Sequence, residues 1–172
     1  MKSEGKKFEE DFQDSAKQAM FIYRLRDPAS SFNLKCQGCP KQVTRFSFKN
    51  ICDFIAADYQ NTFLLELKST NKKSFPFANI IKDKKDKRLE SMVKEDDAYP
   101  YILSYVIFNF RSDDNFTYAV PSKIVLNYIE TAPRKSIPFA WIAENGIEIK
   151  SQIKRVRYRY YIKQFLSDIK PF

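Results

Sequence analysis

Asp53 and Glu66, with Lys68 two residues beyond the second acid, form an acid–acid–lysine set inside a stretch that is otherwise apolar and β-rich. Alternate residues of a strand share a face, so Glu66 and Lys68 project to one side and Leu67 to the other, into the core. A polar turn around Tyr59-Gln60-Asn61 folds the strand carrying Asp53 back onto the strand carrying Glu66, which brings two carboxylates and an ammonium together. Hard carboxylate oxygens are what Mg2+ accepts as ligands. A metal held there polarises a phosphate and lowers the pKa of a bound water, and a lysine orients or activates that water. The chemistry this set suits is metal-assisted phosphodiester hydrolysis. The competing reading is a pair of surface acids salt-bridged to a lysine. Against it stand Phe63, Leu64, Leu65 and Leu67, an apolar setting in which a charge at Glu66 calls for an explanation.

The rest of the composition narrows the alternatives. Histidine is absent, which removes Ser-His and Cys-His catalysis and the usual ligands of a catalytic zinc. Net charge is +9 with a pI near 9.4, so the expected partner is a polyanion, nucleic acid first among them. With 172 residues, 44% of them apolar, the chain has enough material for one core, and residues 1–172 are expected to be a single domain. Three cysteines make a poor disulfide framework, no apolar run reaches membrane-spanning length, and the opening MKSEGKKFEEDF lacks the apolar stretch of a secretory signal. A soluble, cytoplasmic protein without a membrane partner is expected.

The elements that must position the acids read as follows. Phe8, Phe12, Ala16, Ala19 and Met20 recur at helical spacing and predict a helix over residues 6–25, stopped by Asp27-Pro28. Residues 29–41 read as a loop. Strands are predicted over 43–48, 51–57 and 62–67, a helix within 82–95 on a stripe of Leu89, Met92 and Val93, a doubly buried strand over 101–110, and its partner over 116–120. Residues 121–131 and 153–169 complete the pattern as helices. The order α, β, β, β, α, β, β, α, α predicts an α/β fold, a mixed central sheet flanked by helices.

With these residues in hand, the segment from Asp53 to Lys68 resembles the core of the PD-(D/E)xK nuclease superfamily. Its continuation Lys68-Ser-Thr-Asn-Lys-Lys-Ser-Phe-Pro-Phe-Ala-Asn79 resembles the RecU family of Holliday junction resolvases. Gly5-Lys-Lys-Phe-Glu9 is similar to that family's opening helix, and Arg134-Lys-Ser-Ile-Pro-Phe139 with Gly146 to a later block, all in the same order. The resemblance implies a restriction-endonuclease-like core and a homodimer that binds a four-way DNA junction and nicks it in pairs with Mg2+ or Mn2+. Asp53, Glu66 and the Leu67 carbonyl would then be metal ligands and Lys68 would serve the attacking water. Glu9 would be the helix glutamate near the metals, its other reading being a first-turn acid that complements the helix dipole. The chain also looks like a relative from a phage or mobile element.

Three departures from the family stand out. Ile51 replaces an expected threonine, Arg88 or a neighbour stands where a glutamine is expected, and residues 81–85 look like an insertion. Cys36 and Cys39 supply half of a zinc site, and loop cysteines without metal are the competing reading. Lys72, Lys73, Arg88, Arg134, Lys135, Arg155, Arg157 and Arg159 are the candidate DNA-binding cations, the last three within a basic and aromatic run, Lys154 to Lys163, that alternatively reads as a solvated helix face. The dimer interface is expected in the first third of the chain and in residues 74–79. Two other functions fit the same residues: a generic restriction-like or repair nuclease, and a non-cutting basic DNA-binding recombination protein.

Overall fold

A computed structural model describes residues 3–25, 50–81, 86–111 and 114–169. The expected strand over 43–48, the Cys36/Cys39 loop and most of the 81–85 insertion lie outside the described residues. The first helix, α1 (Glu4–Ala16), buries Phe8, Phe12 and Ala16 on one stripe. It ends well before residue 25. Phe21-Ile-Tyr-Arg24 instead forms β1, with Ile22 buried and its neighbours facing out. This corrects the expected long helix: a β-branched residue between aromatics alternates with period two, and tertiary pairing claims it.

β1 pairs antiparallel with β2 (Phe54–Ala57), and β2 with β3 (Thr62–Thr70), Phe54 standing opposite Leu65. The turn between β2 and β3 is held by Asp58, whose Oδ1 accepts from the amides of Gln60 (2.8 Å) and Asn61 (2.7 Å), an Asx turn that fixes the register. A short strand β4 (Ser74–Pro76) and a 3-10 turn (Phe77–Asn79) follow, then α2 (Arg88–Ala98) crosses over to β5 (Ile102–Phe110). β5 lies parallel to β3 with Glu66 opposite Val106 and Lys68 opposite Phe108. β6 (Phe116–Pro121) returns antiparallel, α3 (Ser122–Thr131) leads to β7 (Ser136–Pro138), which pairs with β4, and α4 (Phe139–Asn145) leads to β8 (Ile147–Glu148) on the edge of β6. Gly146 joins those last two because a Cβ there would stand 2.8 Å from the Ile142 carbonyl oxygen. Among the described residues the main sheet runs β1-β2-β3-β5-β6-β8, mixed as expected.

The expected helix over 153–169 is also corrected. Residues 151–160 form a hairpin, β9 (Ser151–Lys154) with β10 (Arg157–Tyr160), and only α5 (Ile162–Asp168) is helical. Arg-Tyr-Arg-Tyr alternates charge and ring with a strand's period, which outweighs the helical spacing of Ile162, Phe165 and Ile169 further on.

Each face of the sheet carries its own core. Phe63, Leu65, Leu67, Tyr105 and Ile107 point to the face covered by α1, α5 and the hairpin, whereas Leu64, Val106, Phe108 and Val120 point to the face covered by α2, α3, α4 and the β4–β7 ribbon. By alternation, Glu66 and Lys68 belong to the α2 face. No helix among the described residues is long and apolar enough to cross a membrane.

Candidate active site

Glu66 is 4% exposed in the centre of the sheet. A carboxylate there survives because cations come to it. The ammonium of Lys68, two residues along the same face, lies 2.7 Å from Oε1, and the guanidinium of Arg88, at the first turn of α2, lies 3.0 Å from the same oxygen. Oε2 is buried and has no hydrogen-bond partner among the described residues. Burial pushes the Glu66 carboxyl above the usual carboxylate range, the charge of Asp53 adds to that push, and Lys68 and Arg88 oppose it.

Asp53 sits immediately before β2. Its amide donates to the Leu65 carbonyl (3.1 Å), and its Oδ2 accepts from the Leu67 amide (2.9 Å). The side chain thereby extends the β2–β3 pairing by one rung and pins the acid next to the segment Glu66-Leu67-Lys68. A strand residue points its N–H and C=O to the same edge. The Leu67 carbonyl consequently faces the Asp53 edge, beyond the start of β2.

Arg88 serves two acids. Besides Glu66, its Nε and second terminal nitrogen reach Asp86 Oδ1 (3.1 Å) and Oδ2 (3.2 Å), a fork on a buried carboxylate. This position was read from sequence as a candidate DNA contact; in the structure its donors point inward. Asp86 went unremarked in the sequence, and the acid-x-Arg spacing is the one signal that announces it.

Glu9 is carried on α1, against the opposite face of the sheet from Glu66, and is ion-paired with Arg24 (2.6 Å). Arg24 in turn stands opposite Phe54, the neighbour of Asp53. The structure thus assembles Asp53, Glu66, Leu67, Lys68 and Arg88 directly, with Glu9 tied in through β1.

The remaining candidate cations lie beyond the ends of these strands and on the outer ribbon and hairpin. Lys72 and Lys73 are exposed where β3 runs out past Lys68. Arg134 and Lys135 are exposed ahead of β7, and the ribbon β4–β7 fixes them relative to Lys73: the Phe139 amide donates to Lys73 (3.1 Å) at one end, and the Phe77 amide to Lys135 (3.0 Å) at the other. Arg155 is exposed at the tip of the hairpin, Arg159 is half-buried on β10, and Arg157 is engaged by Asp11 (2.8 Å) and Asp14 (2.9 Å).

Asp11, missed in sequence, is the anchor of that hairpin. Only 4% exposed, it also pairs with Arg111 (3.1 Å), whose amide donates to Thr70 at the end of β3 (2.8 Å). An acid on the apolar stripe of α1, one turn from Phe8 and beside Phe12, was the available signal.

The sequence model described as Recombination protein U (RecU) matches residues 4–164. A curated relative, the SPbeta prophage-derived uncharacterized protein YotM of Bacillus subtilis (strain 168), is 31% identical over 181 residues, spanning 97% of this chain and 87% of that protein. Among solved structures, the chain is similar to Hjc of Archaeoglobus fulgidus, described as a Holliday junction resolvase from an archaeal hyperthermophile. The TM-score is 0.48 and the identity 16%, over 86% of this chain and 93% of that one.

Proposed function

We propose, from the premise that this chain belongs to the recombination protein U family, that it is a metal-dependent endonuclease which resolves four-way DNA junctions by paired phosphodiester hydrolysis. The observation that carries the reading is the rung Asp53–Leu67 beside the Glu66–Lys68 pair. It gathers two carboxylates, a backbone carbonyl directed at the same edge and a lysine, with Glu66 Oε2 buried and unpartnered among the described residues.

The donor set fits Mg2+ or Mn2+. Among the described residues no cluster of three or more acidic or sulfur side chains forms, but Mg2+ takes one or two carboxylates and completes its shell with water and substrate phosphate. Asp53, Glu66 and the Leu67 carbonyl would hold it. The chemistry such an ion supplies when bound is neutralisation of the scissile phosphate and a more acidic water. Lys68 orients the attacking water from its place on the Glu66 face, and Arg88, with Lys68, opposes the push that burial puts on the Glu66 carboxyl. Lys72, Lys73, Arg134, Lys135, Arg155 and Arg159 hold the DNA backbone, and Glu9 supports the site through Arg24. Symmetrical nicking needs two active sites on a two-fold axis, so the working unit is a C2 homodimer, its interface sought in the first third of the chain and residues 74–79. The single nuclease domain acts in the cytoplasm, where its DNA is.

One observation favours a second reading. Lys68 and Arg88 together already balance Glu66, as they would in a protein that binds junctions without cutting them. A synthetic four-way junction with and without Mg2+ separates the two. Under the proposal the protein cuts only with the metal, and Asp53→Asn and Glu66→Gln bind without cutting. Binding without cleavage when Mg2+ is present overturns the nuclease and leaves the second reading, and equal cutting of linear duplex leaves a generic nuclease.

A further inference from the structure

The β9–β10 hairpin stands outside the main sheet and ends in an unusual tip. Ile153 is 65% exposed and Val156 89%, and they flank Lys154 and Arg155. Arg155 adopts φ 60°, the left-handed conformation that a two-residue hairpin turn requires and that a non-glycine residue adopts at some cost. The turn thus presents two aliphatic side chains to solvent on either side of a pair of cations.

Beneath the tip the hairpin is rigid. Asp11 receives Arg157 (2.8 Å) and Arg111 (3.1 Å), the Tyr160 amide donates to Ser15 Oγ (3.1 Å), and Asn115 donates to Ser151 Oγ (3.0 Å) and the Tyr160 hydroxyl (3.3 Å). Arg111 lies over the Tyr158 ring, 5.4 Å from its centre, and its own amide is bonded to Thr70, two residues beyond Lys68. The anchor of the hairpin therefore abuts the end of the strand that carries Glu66 and Lys68.

The charge around the tip selects its partner. From Ile149 to Ser167 there are six cations, Lys150, Lys154, Arg155, Arg157, Arg159 and Lys163, and no acid; Asp11 and Asp14 of α1 take up Arg157, and the other five keep the segment positive. A second copy of this tip would be repelled, whereas DNA offers phosphates for the cations and stacked base faces for the aliphatic pair. Proteins that kink DNA insert Ile, Leu, Met or Phe between base steps, and a step whose stacking is already interrupted costs least to open.

We propose that Ile153 and Val156 form an apolar wedge that enters the base stack at the branch point of a DNA junction, held there by Lys154 and Arg155 on the flanking phosphates. The inference rests on the DNA-junction reading above. It makes the hairpin a determinant of structure selectivity and gives the exposed aliphatics and the cations between them one shared purpose.

The test uses a four-way junction with 2-aminopurine at the branch point, bound by the full chain in the Glu66→Gln background so that no strand is cut. Insertion unstacks the probe, and fluorescence rises several-fold on saturation. The surface double variants Ile153→Ser/Val156→Ser and Ile153→Lys/Val156→Lys should abolish the rise and lower the preference for junction over linear duplex about tenfold, the worth of one lost base stack. Duplex affinity should stay within about twofold for the serine pair and rise for the lysine pair. A rise that survives both substitutions, or junction binding by the parent protein with no rise, overturns the wedge and leaves junction binding standing. Failure of the parent to bind either DNA overturns the wedge and the junction reading together.

Discussion

Arg88 and Glu66 meet at 3.0 Å across the interface of α2 with the central sheet, and the same guanidinium grips Asp86 with its other nitrogens. The family pattern places a glutamine in this region, so a fixed positive charge stands beside a carboxylate proposed to hold a divalent cation. Two cations on one acid compete. Arg88→Gln should bind Mn2+ several-fold more tightly in the absence of DNA, read by titration calorimetry. The metal-free variant should also lose roughly 3 kcal/mol, because Lys68 remains on Glu66 Oε1 but the buried Asp86 loses its guanidinium fork. Unchanged Mn2+ affinity would mean that Arg88 does not restrain the site.

Lys68 separates chemistry from scaffolding. Its side chain is 15% exposed and its ammonium is bonded to Glu66, so Lys68→Met keeps the aliphatic stem in place while removing the group proposed to orient water. Single-turnover cleavage should fall by at least ~10²-fold, with junction affinity within a few-fold of the parent. A variant that cuts at more than a tenth of the parental rate would transfer that role elsewhere.

Asp11 and Arg157 should give unequal results although they face each other. Asp11→Ala leaves the nearly buried Arg111 with only the exposed Glu4 and frees Arg157 from its buried acceptor, and urea unfolding should show a loss of roughly 3 kcal/mol. Arg157 is 43% exposed and its removal leaves Asp11 with Arg111, so Arg157→Ala should cost less than about 1 kcal/mol. Equal losses would contradict the anchor as described.

Two phenols set an alkaline limit. Burial pushes the hydroxyls of Tyr105 and Tyr160 up to about 12, from an ordinary value near 10.0. A folded-state value above the unfolded one contributes stability that is complete below about pH 10 and is lost as pH rises towards 12. Phenolate absorbance from these two residues should appear together with loss of the folded circular dichroism signal. Tyr105→Phe/Tyr160→Phe should flatten the decline in stability over that window; an unaltered decline would remove both residues from the account.

The site was legible because it is short-range. Asp53, Glu66, Leu67 and Lys68 lie on adjacent strands joined by one tight turn, and period-two alternation alone sets Glu66 and Lys68 on a common face. The buried strand from Ile102 to Phe110 announced itself by continuous β-branched and aromatic residues. What escaped was decided at long range. The helical spacing of α1 ran on through Ala19 and Met20, hiding β1, whose existence depends on pairing with β2. The hairpin of β9 and β10 depends on Asp11 and Ser15, almost the whole chain away, and nothing local reveals those bonds. Arg88 was visible as a cation, but its direction was set by how α2 docks.

The two partners of β3 are acquired very differently in time. Its union with β2 spans one Asx turn, a hairpin of the sort that forms in about 1–10 μs, and that step alone can make the Asp53–Leu67 rung. Its parallel union with β5 sets Thr62 opposite Ile102 and must wait for the intervening chain and α2 to cross over, a non-local closure that slows folding. The carboxylates are therefore neighbours before they are dry. Glu66 should stay hydrated, and without Arg88, until the slow closure seals the sheet, so the charge environment of the site is expected among the last features a refolding molecule regains.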